Sequence, residues 1–405
     1  MRYIQSFNTS GDVKTALDNG LLGNPYVAYV EADGTIDWNT KEKTDYSKMP
    51  LTFEIISGGT ISWKAQNTAY TATIEYSLDN GSTWTSITST TAGASFNVSN
   101  GDKVMFRGDN ATYSSGFSYF NTFYGTTAKF NIEGNIMSLI DSTGFTTAIT
   151  LESAYTFKYL FNLITGLTSA ENLVLPAMTL VNECYSYMFR GNKNLTTTPT
   201  LPATTLASGC YKSMFMDCTS LTQAPELPAT TLASGCYDNM FLRCTSLTQA
   251  PELPATEMTN GCYAYMFAGC VSLATAPVLP ANNLAESCYS YMFSGCTSLT
   301  AAPELSATIL AKECYAYMFK SCTSLTTAPV LPATTLAIMC YYQMFFGCSK
   351  LNYIKCLATS ITALDCLANW VNGVAASGTF VKAAGVTWPT GNAGIPNGWT
   401  VEDAE

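Results

Sequence analysis

Cysteine is the residue whose placement most invites a chemical reading. Cys184, Cys210, Cys236, Cys262, Cys288, Cys314 and Cys340 stand 26 residues apart. A second row, Cys218, Cys244, Cys270, Cys296, Cys322 and Cys348, follows its partners by eight, and Asn192 fills that place after Cys184. Thiols can pair, bind metal or act as nucleophiles. The chain has no histidine, which rules out Ser-His-Asp triads, Cys-His dyads, paired-histidine metal helices and imidazole bases. No C-x-x-C pair is present, so zinc has weak support. The 15 cysteines among 405 residues are odd in number. They fall well short of the roughly 8–10% of stapled small domains.

Carboxylates give a second candidate. Glu226, Glu252 and Glu304 share one repeat slot, interrupted by Val278 and Val330. Paired acids could run glycosidic acid–base chemistry or hold calcium. An interrupted row of surface glutamates is read first as solvated. No Gly-rich phosphate loop of the Walker or Rossmann type is present. The expectation is no enzyme, no cofactor and no metal.

These residues belong to a repeat that reads C-Y-x-x-M-F-x-x-C-T-S-L-T-x-A-P-x-L-P-A-T-x-L-A-x-x. Seven copies at one period predict a solenoid. Degenerate copies, Tyr159-Leu-Phe161 before and Cys366 with Trp370-Val371 after, suit the two ends. On a helical wheel at ~100° per residue, the Cys, Tyr, Met, Phe and second Cys cluster on one face. The C-Y-x-x-M-F-x-x-C segment therefore predicts a short helix with its apolar side inward. Cys210, Met214, Phe215, Cys218, Cys236, Met240, Phe241 and Cys244 are predicted core. The following segment predicts a turn and a parallel strand, kept short by prolines that lack an N–H. In that setting the cysteines read as stacked, buried free thiols; inter-coil disulfides and a metal site stay open as alternatives.

The M-F-x-G-C-T-S-L-T string resembles the BspA-like class of leucine-rich repeats, found on gut bacterial surfaces and in their phages. The resemblance covers about residues 154–370, and the 26-residue period departs from a usual value nearer 23. It implies adhesion or recognition rather than catalysis.

Upstream, Ser10 reads as the cap of a helix through Asp18. The segments 26–30 and 35–38 flank Asp33-Gly34 as a hairpin. From Leu51 the pattern turns to period two, with turn signals at Asp79-Asn-Gly81 and Asn100-Gly101, suggesting a β-sandwich. Within it, Ser77, Asp79, Gly81 and Trp84 resemble the Asp-box of sialidase-like propellers, which is a structural hairpin element there. Downstream, Trp370, Trp388 and Trp399 with many glycines predict a loop-rich cap.

The expected fold class is therefore an α+β multidomain chain. Residues 1–50 form a small attachment module and 51–150 an Ig-like β-sandwich. Residues 151–355 form a right-handed leucine-rich-repeat-type solenoid of 26-residue coils, and 356–405 a C-terminal cap.

Binding is sought at variable, exposed repeat positions. The fourth position of the predicted helix carries Tyr187, Ser213, Asn239, Tyr265, Tyr291, Tyr317 and Gln343. Tyr265, Tyr291 and Tyr317 would form an aromatic ladder, since tyrosine supplies contact area at low entropy cost. Tyr187 is the fourth candidate.

Charged residues make up 12% of the chain, against roughly 25% usually. The net charge of −10 argues against nucleic acid and anionic lipid. No stretch reaches the roughly 18 apolar residues of a membrane span. Met1-Arg-Tyr-Ile has no apolar run of signal-peptide length, so a simple secreted protein is not expected if Met1 is the native start.

The expected function is a non-enzymatic recognition protein binding a host-cell glycan or protein. The expected setting is a phage virion, as a receptor-binding tail or head fibre, with residues 1–150 joining other virion or surface proteins. A bacterial cell-surface adhesin is the alternative, and a carbohydrate-active enzyme a third reading. Homo-oligomerisation is left open.

Overall fold

The computed structural model describes residues 44–405 except Phe117, and the backbone of Tyr29–Val30 and Ile36–Asp37. The chain divides into two compact units, Met1–Tyr46 and Ser47–Glu405. In the first, β1 (Tyr29–Val30) pairs antiparallel with β2 (Ile36–Asp37), as expected of a hairpin. Its Asp33-Gly34 turn and the helix expected from Ser10 to Asp18 lie outside the described residues.

The second unit begins with strands β3 (Leu51–Ser57), β4 (Gly59–Ala65), β5 (Thr73–Ser77), β6 (Thr85–Thr88), β7 (Ala94–Val98), β8 (Lys103–Arg107), β9 (Asn121–Thr122) and β10 (Lys129–Asn135). With β11 (Leu167–Val174) they form a six-stranded sheet in the order β11-β10-β3-β8-β5-β6 and a three-stranded sheet β7-β4-β9. Phe123 joins the two, its ring 4.9 Å from Phe53 of β3 and 4.8 Å from Trp63 of β4. Tyr76 of β5 and Phe96 of β7 stack at 3.8 Å and close the sandwich elsewhere.

The repeats overturn the expected α+β class. No α-helix forms among the described residues; only the 3₁₀ turns Tyr46–Lys48 and Ile136–Leu139 occur. The fold is all-β. Each C-Y-x-x-M-F-x-x-C segment is a ribbon of consecutive tight turns. Along it, alternate N–H groups bond three residues back: Ser186 to Glu183, Met188 to Tyr185 and Arg190 to Tyr187, each at 3.2 Å. The intervening N–H groups donate to the next coil, Tyr185 to Cys210 at 3.0 Å and Phe189 to Met214 at 2.9 Å. The main chain is thereby satisfied without a helix.

Every fourth ribbon residue takes a positive φ. Glu183, Tyr187 and Gly191 stand at 51°, 57° and 72°, and Gly261, Tyr265 and Gly269 at 59°, 55° and 73°. An α-helix excludes that conformation. The buried positions i, i+1, i+4, i+5 and i+8 have period four, which over nine residues resembles the 3.6 of a helix. Burial was thus legible while the backbone was not. Cys210, Met214, Phe215, Cys218, Cys236, Met240, Phe241 and Cys244 are all fully buried.

Parallel pairing runs along the other side of each coil. In the repeats it shrinks to single bridges, such as Gln223 with Gln249 and Thr205 with Thr231. The A-P-x-L-P prolines remove donors there. Where proline is missing, strands lengthen. Residues 167–174 form β11, which pairs parallel with β10. Past the repeats, β12 (Tyr353–Cys356), β13 (Thr379–Lys382) and β14 (Thr400–Asp403) form a parallel sheet.

Two columns of stacked rings run through the core. One passes from Tyr113 through Phe157 and Tyr185 to Tyr211, at spacings of 6.3, 6.0 and 5.8 Å. The other passes from Phe123 through Phe161 and Phe189 to Phe215, at 5.8, 5.4 and 5.5 Å. Both end on Trp370, 6.3 Å from Tyr341 and 6.1 Å from Phe345. The sandwich also closes the first coil's open edge, where Tyr113 N–H donates to Thr156 at 2.8 Å and Phe123 N–H to Leu160 at 3.0 Å. At the far end the indoles of Trp370 and Trp399 donate to Gly394 and Ala375 at 2.9 and 2.8 Å.

Candidate recognition face

The middle left-handed position of the turn ribbon carries a partly exposed tyrosine in three successive coils. Tyr265, Tyr291 and Tyr317 hold φ of 55°, 57° and 59°. Their rings stack face to face, Tyr265 on Tyr291 at 4.3 Å and Tyr291 on Tyr317 at 3.9 Å. A non-glycine residue there costs ~1–2 kcal/mol, which the two ladders of inter-coil and intra-turn bonds hold in place. Desolvation raises all three phenols above their ordinary value, so they remain neutral hydroxyl groups.

Tyr187 lies apart from these three. It stacks at 4.8 Å on Tyr159, a partner hidden in the sequence because the first coil is 28 rather than 26 residues long. Ser213 and Asn239 separate the two stacks at the same turn position. Beside this gap runs a cleft of about 490 Å³ lined by Gly209, Gly235, Gly261, Lys212, Asp238 and Tyr265. The charges along it are matched across coils. Lys212 pairs with Asp238 at 2.8 Å, Lys312 with Glu286 at 2.6 Å, and the buried Lys158 with Glu183.

The far end of the tyrosine stack carries side chains that the repeat pattern did not single out. Tyr342 meets Tyr317 edge-on at 5.0 Å. The Lys320 ammonium lies 5.2 Å from the ring centres of both Tyr317 and Phe346 and donates to Gln343 Oε1 at 3.2 Å. Lys320 follows Tyr317 by three residues, a spacing that signals proximity only once the four-residue turn is known.

The remaining candidates are placed elsewhere. Glu226 and Glu252 are exposed and line a cleft of about 410 Å³ with Pro225, Pro228, Pro251 and Pro254. Glu304 is also exposed. Ser77, Asp79 and Gly81 shape a turn in which the Asp79 carboxylate accepts from Thr83 N–H at 2.8 Å and Ser77 Oγ at 2.8 Å. Those bonds, from Thr83 first, hold its carboxyl down at about 2. The Arg107 guanidinium covers Trp84 at 4.2 Å. All 15 cysteines are free and buried. Burial pushes the thiols of Cys184 and Cys348 up to about 12, which disfavours a nucleophilic thiolate. Among the described residues no group of three or more His, Cys, Asp or Glu side chains could hold a metal ion.

No family model matches the chain, and no curated protein is similar to it. A solved leucine-rich repeat protein from Bacteroides ovatus is similar at 12% identity over 69% of this chain and 87% of that one. Its TM-score is 0.28, a likeness too distant to argue from. The repeat architecture rests on this chain's own coils: a leucine-lined, all-β solenoid of parallel-stacked 26-residue turns.

Proposed function

We propose that this chain is a non-enzymatic recognition protein, which offers the tyrosine face of a rigid repeat solenoid to a glycan on a host-cell surface. The observation that carries this reading is the Tyr265–Tyr291–Tyr317 stack. Three partly exposed rings are held in one line by backbone turns and stacked on one another. The rings cover one another's faces, so a sugar meets the edges and phenol hydroxyls of the stack together with the neighbouring Lys212, Asp238 and Asn260. The motif's resemblance to repeats of gut bacterial surfaces and their phages makes a virion fibre the proposed setting, with residues 1–150 as the attachment part. Detection of the chain in purified virions tests that setting.

Binding to a glycan array and to whole bacterial cells tests the function, comparing the full chain with a Tyr265→Ala, Tyr291→Ala, Tyr317→Ala variant. The proposal expects binding by the parent and its loss in the variant. Equal binding by both removes the ladder from the account.

A further inference from the structure

The cations on the ribbon side of the repeats fall into two kinds. Lys212, Arg243 and Lys312 each meet a carboxylate one coil away: Asp238 at 2.8 Å, Asp217 at 2.6 Å and Glu286 at 2.6 Å. Lys320 does not. Among the described residues no carboxylate lies within ion-pair distance of it. Its ammonium is held by two aromatic rings and one amide oxygen, and it is half-buried. Cation–π contacts position an ammonium without neutralising it. Gln343 spends its oxygen on Lys320, which orients its amide N–H donors away from that contact.

This cation stands where the tyrosine stack ends. A ligand lying along Tyr265, Tyr291 and Tyr317 would meet Lys320, Gln343 and Tyr342 at one terminus. Ahead of that point Lys212 pairs with Asp238, and Lys312 with Glu286 and Glu313. Arg190, which also has no carboxylate partner among the described residues, lies at the separate Tyr187 stack. Along Tyr265 and Tyr291 the platform therefore favours uncharged rings, and its Lys320 end favours an anion.

We propose that Lys320, with Gln343 and Tyr342, forms an oxyanion subsite, so that the ladder takes an acidic glycan bearing a carboxylate or sulfate ester over the Tyr317 end. The inference rests on the glycan-binding reading above. Lysine serves here as a point charge, and a charge-assisted hydrogen bond in a partly desolvated place is stronger than a neutral one.

The test uses the full chain on an array of neutral, uronic-acid-bearing and sulfated glycans, followed by titration of the best-bound glycan. Two chemically altered forms of that glycan are compared, one carboxyl-reduced and one desulfated. The proposal expects acidic glycans among the bound set, and weakening of about tenfold or more when the responsible anion is removed. Which alteration weakens binding identifies the anion. Lys320→Gln weakens binding to the same degree and abolishes the difference between acidic and altered glycan, while Lys320→Arg retains it. Melting temperatures of both variants check that the fold is intact. Neutral glycans bound as well as acidic ones overturn this inference and leave the ladder standing. Silence across the array overturns the glycan reading itself, and this inference with it.

Discussion

The thiol of Cys244 donates to the carbonyl oxygen of Phe215 in the preceding coil, across 3.1 Å. The same bond joins Cys218 to Phe189, Cys270 to Phe241, Cys296 to Phe267 and Cys322 to Phe293, each at 3.1 Å. Each Phe carbonyl from Phe215 onward also accepts the main-chain N–H of its own coil's second cysteine, as Cys218 N–H does to Phe215 at 3.1 Å. The second cysteine row is therefore a column of small interior donors. It fits where a larger side chain would part the coils and where an alanine would donate nothing.

That bond can be weighed by substitution. Cys270→Ala removes a fully buried sulfur and its donor, and is expected to cost about 1–2 kcal/mol from the lost hydrogen bond and the small cavity left. The shift in urea midpoint measures it. A variant as stable as the parent would show that the thiol column contributes nothing.

Alkali tests the burial of the thiols as a set. The thiols of Cys184, Cys296, Cys340, Cys348 and Cys356 are pushed by burial from 9.0 up to about 12. In the unfolded chain they release protons near the lower value, whereas the folded chain holds them. The folded state then binds more protons between those limits, so its stability is full below pH ~9 and falls as pH rises toward ~12. The buried phenols of Tyr185, Tyr211 and Tyr341, raised by desolvation, act in the same direction. Melting temperature should be level at neutral pH and fall above about pH 9; a level or rising curve there contradicts the assignment.

The turn ribbon makes a prediction of opposite sign to a helix. Gly261 has φ of 59°, and a Cβ placed on it meets no atom within 4 Å. In a helix Gly261→Ala would stabilise the protein by about 1 kcal/mol. In this left-handed position it is expected to destabilise by about 1 kcal/mol, with no steric contribution. Equilibrium unfolding of the single variant decides between them.

Much of the architecture could be read from the residues, and what could not has a local reason. The 26-residue period, the inward Cys, Tyr, Met and Phe, the broken strands at A-P-x-L-P and the Trp370 cap all follow from spacing and side-chain type. The α-helix was wrong because 3.6 and four residues per turn place the same five positions inward over so short a segment. The corrective signal was present in the glycines. Gly209, Gly235 and Gly261 precede the first cysteine of their coils, and Gly269, Gly295 and Gly347 precede the second. Glycine recurring just before the nine-residue segment and again inside it suits left-handed turns, and the inner one opposes a helix. The tyrosine stack followed from the column alignment. Lys320, Gln343 and Tyr342 did not, because they vary between coils, and their meeting at Tyr317 depends on which way each turn points its side chain.

The recognition claim rests most directly on the middle ring of the stack. Tyr291 lies between Tyr265 and Tyr317, at 4.3 and 3.9 Å, and is partly exposed. The measurement is titration of the best-bound array glycan against the full chain and its Tyr291→Ala variant, with melting temperatures taken alongside. The account predicts binding weakened by about tenfold or more, as for a central aromatic anchor, with the fold retained. Undiminished binding by a folded Tyr291→Ala protein would contradict it.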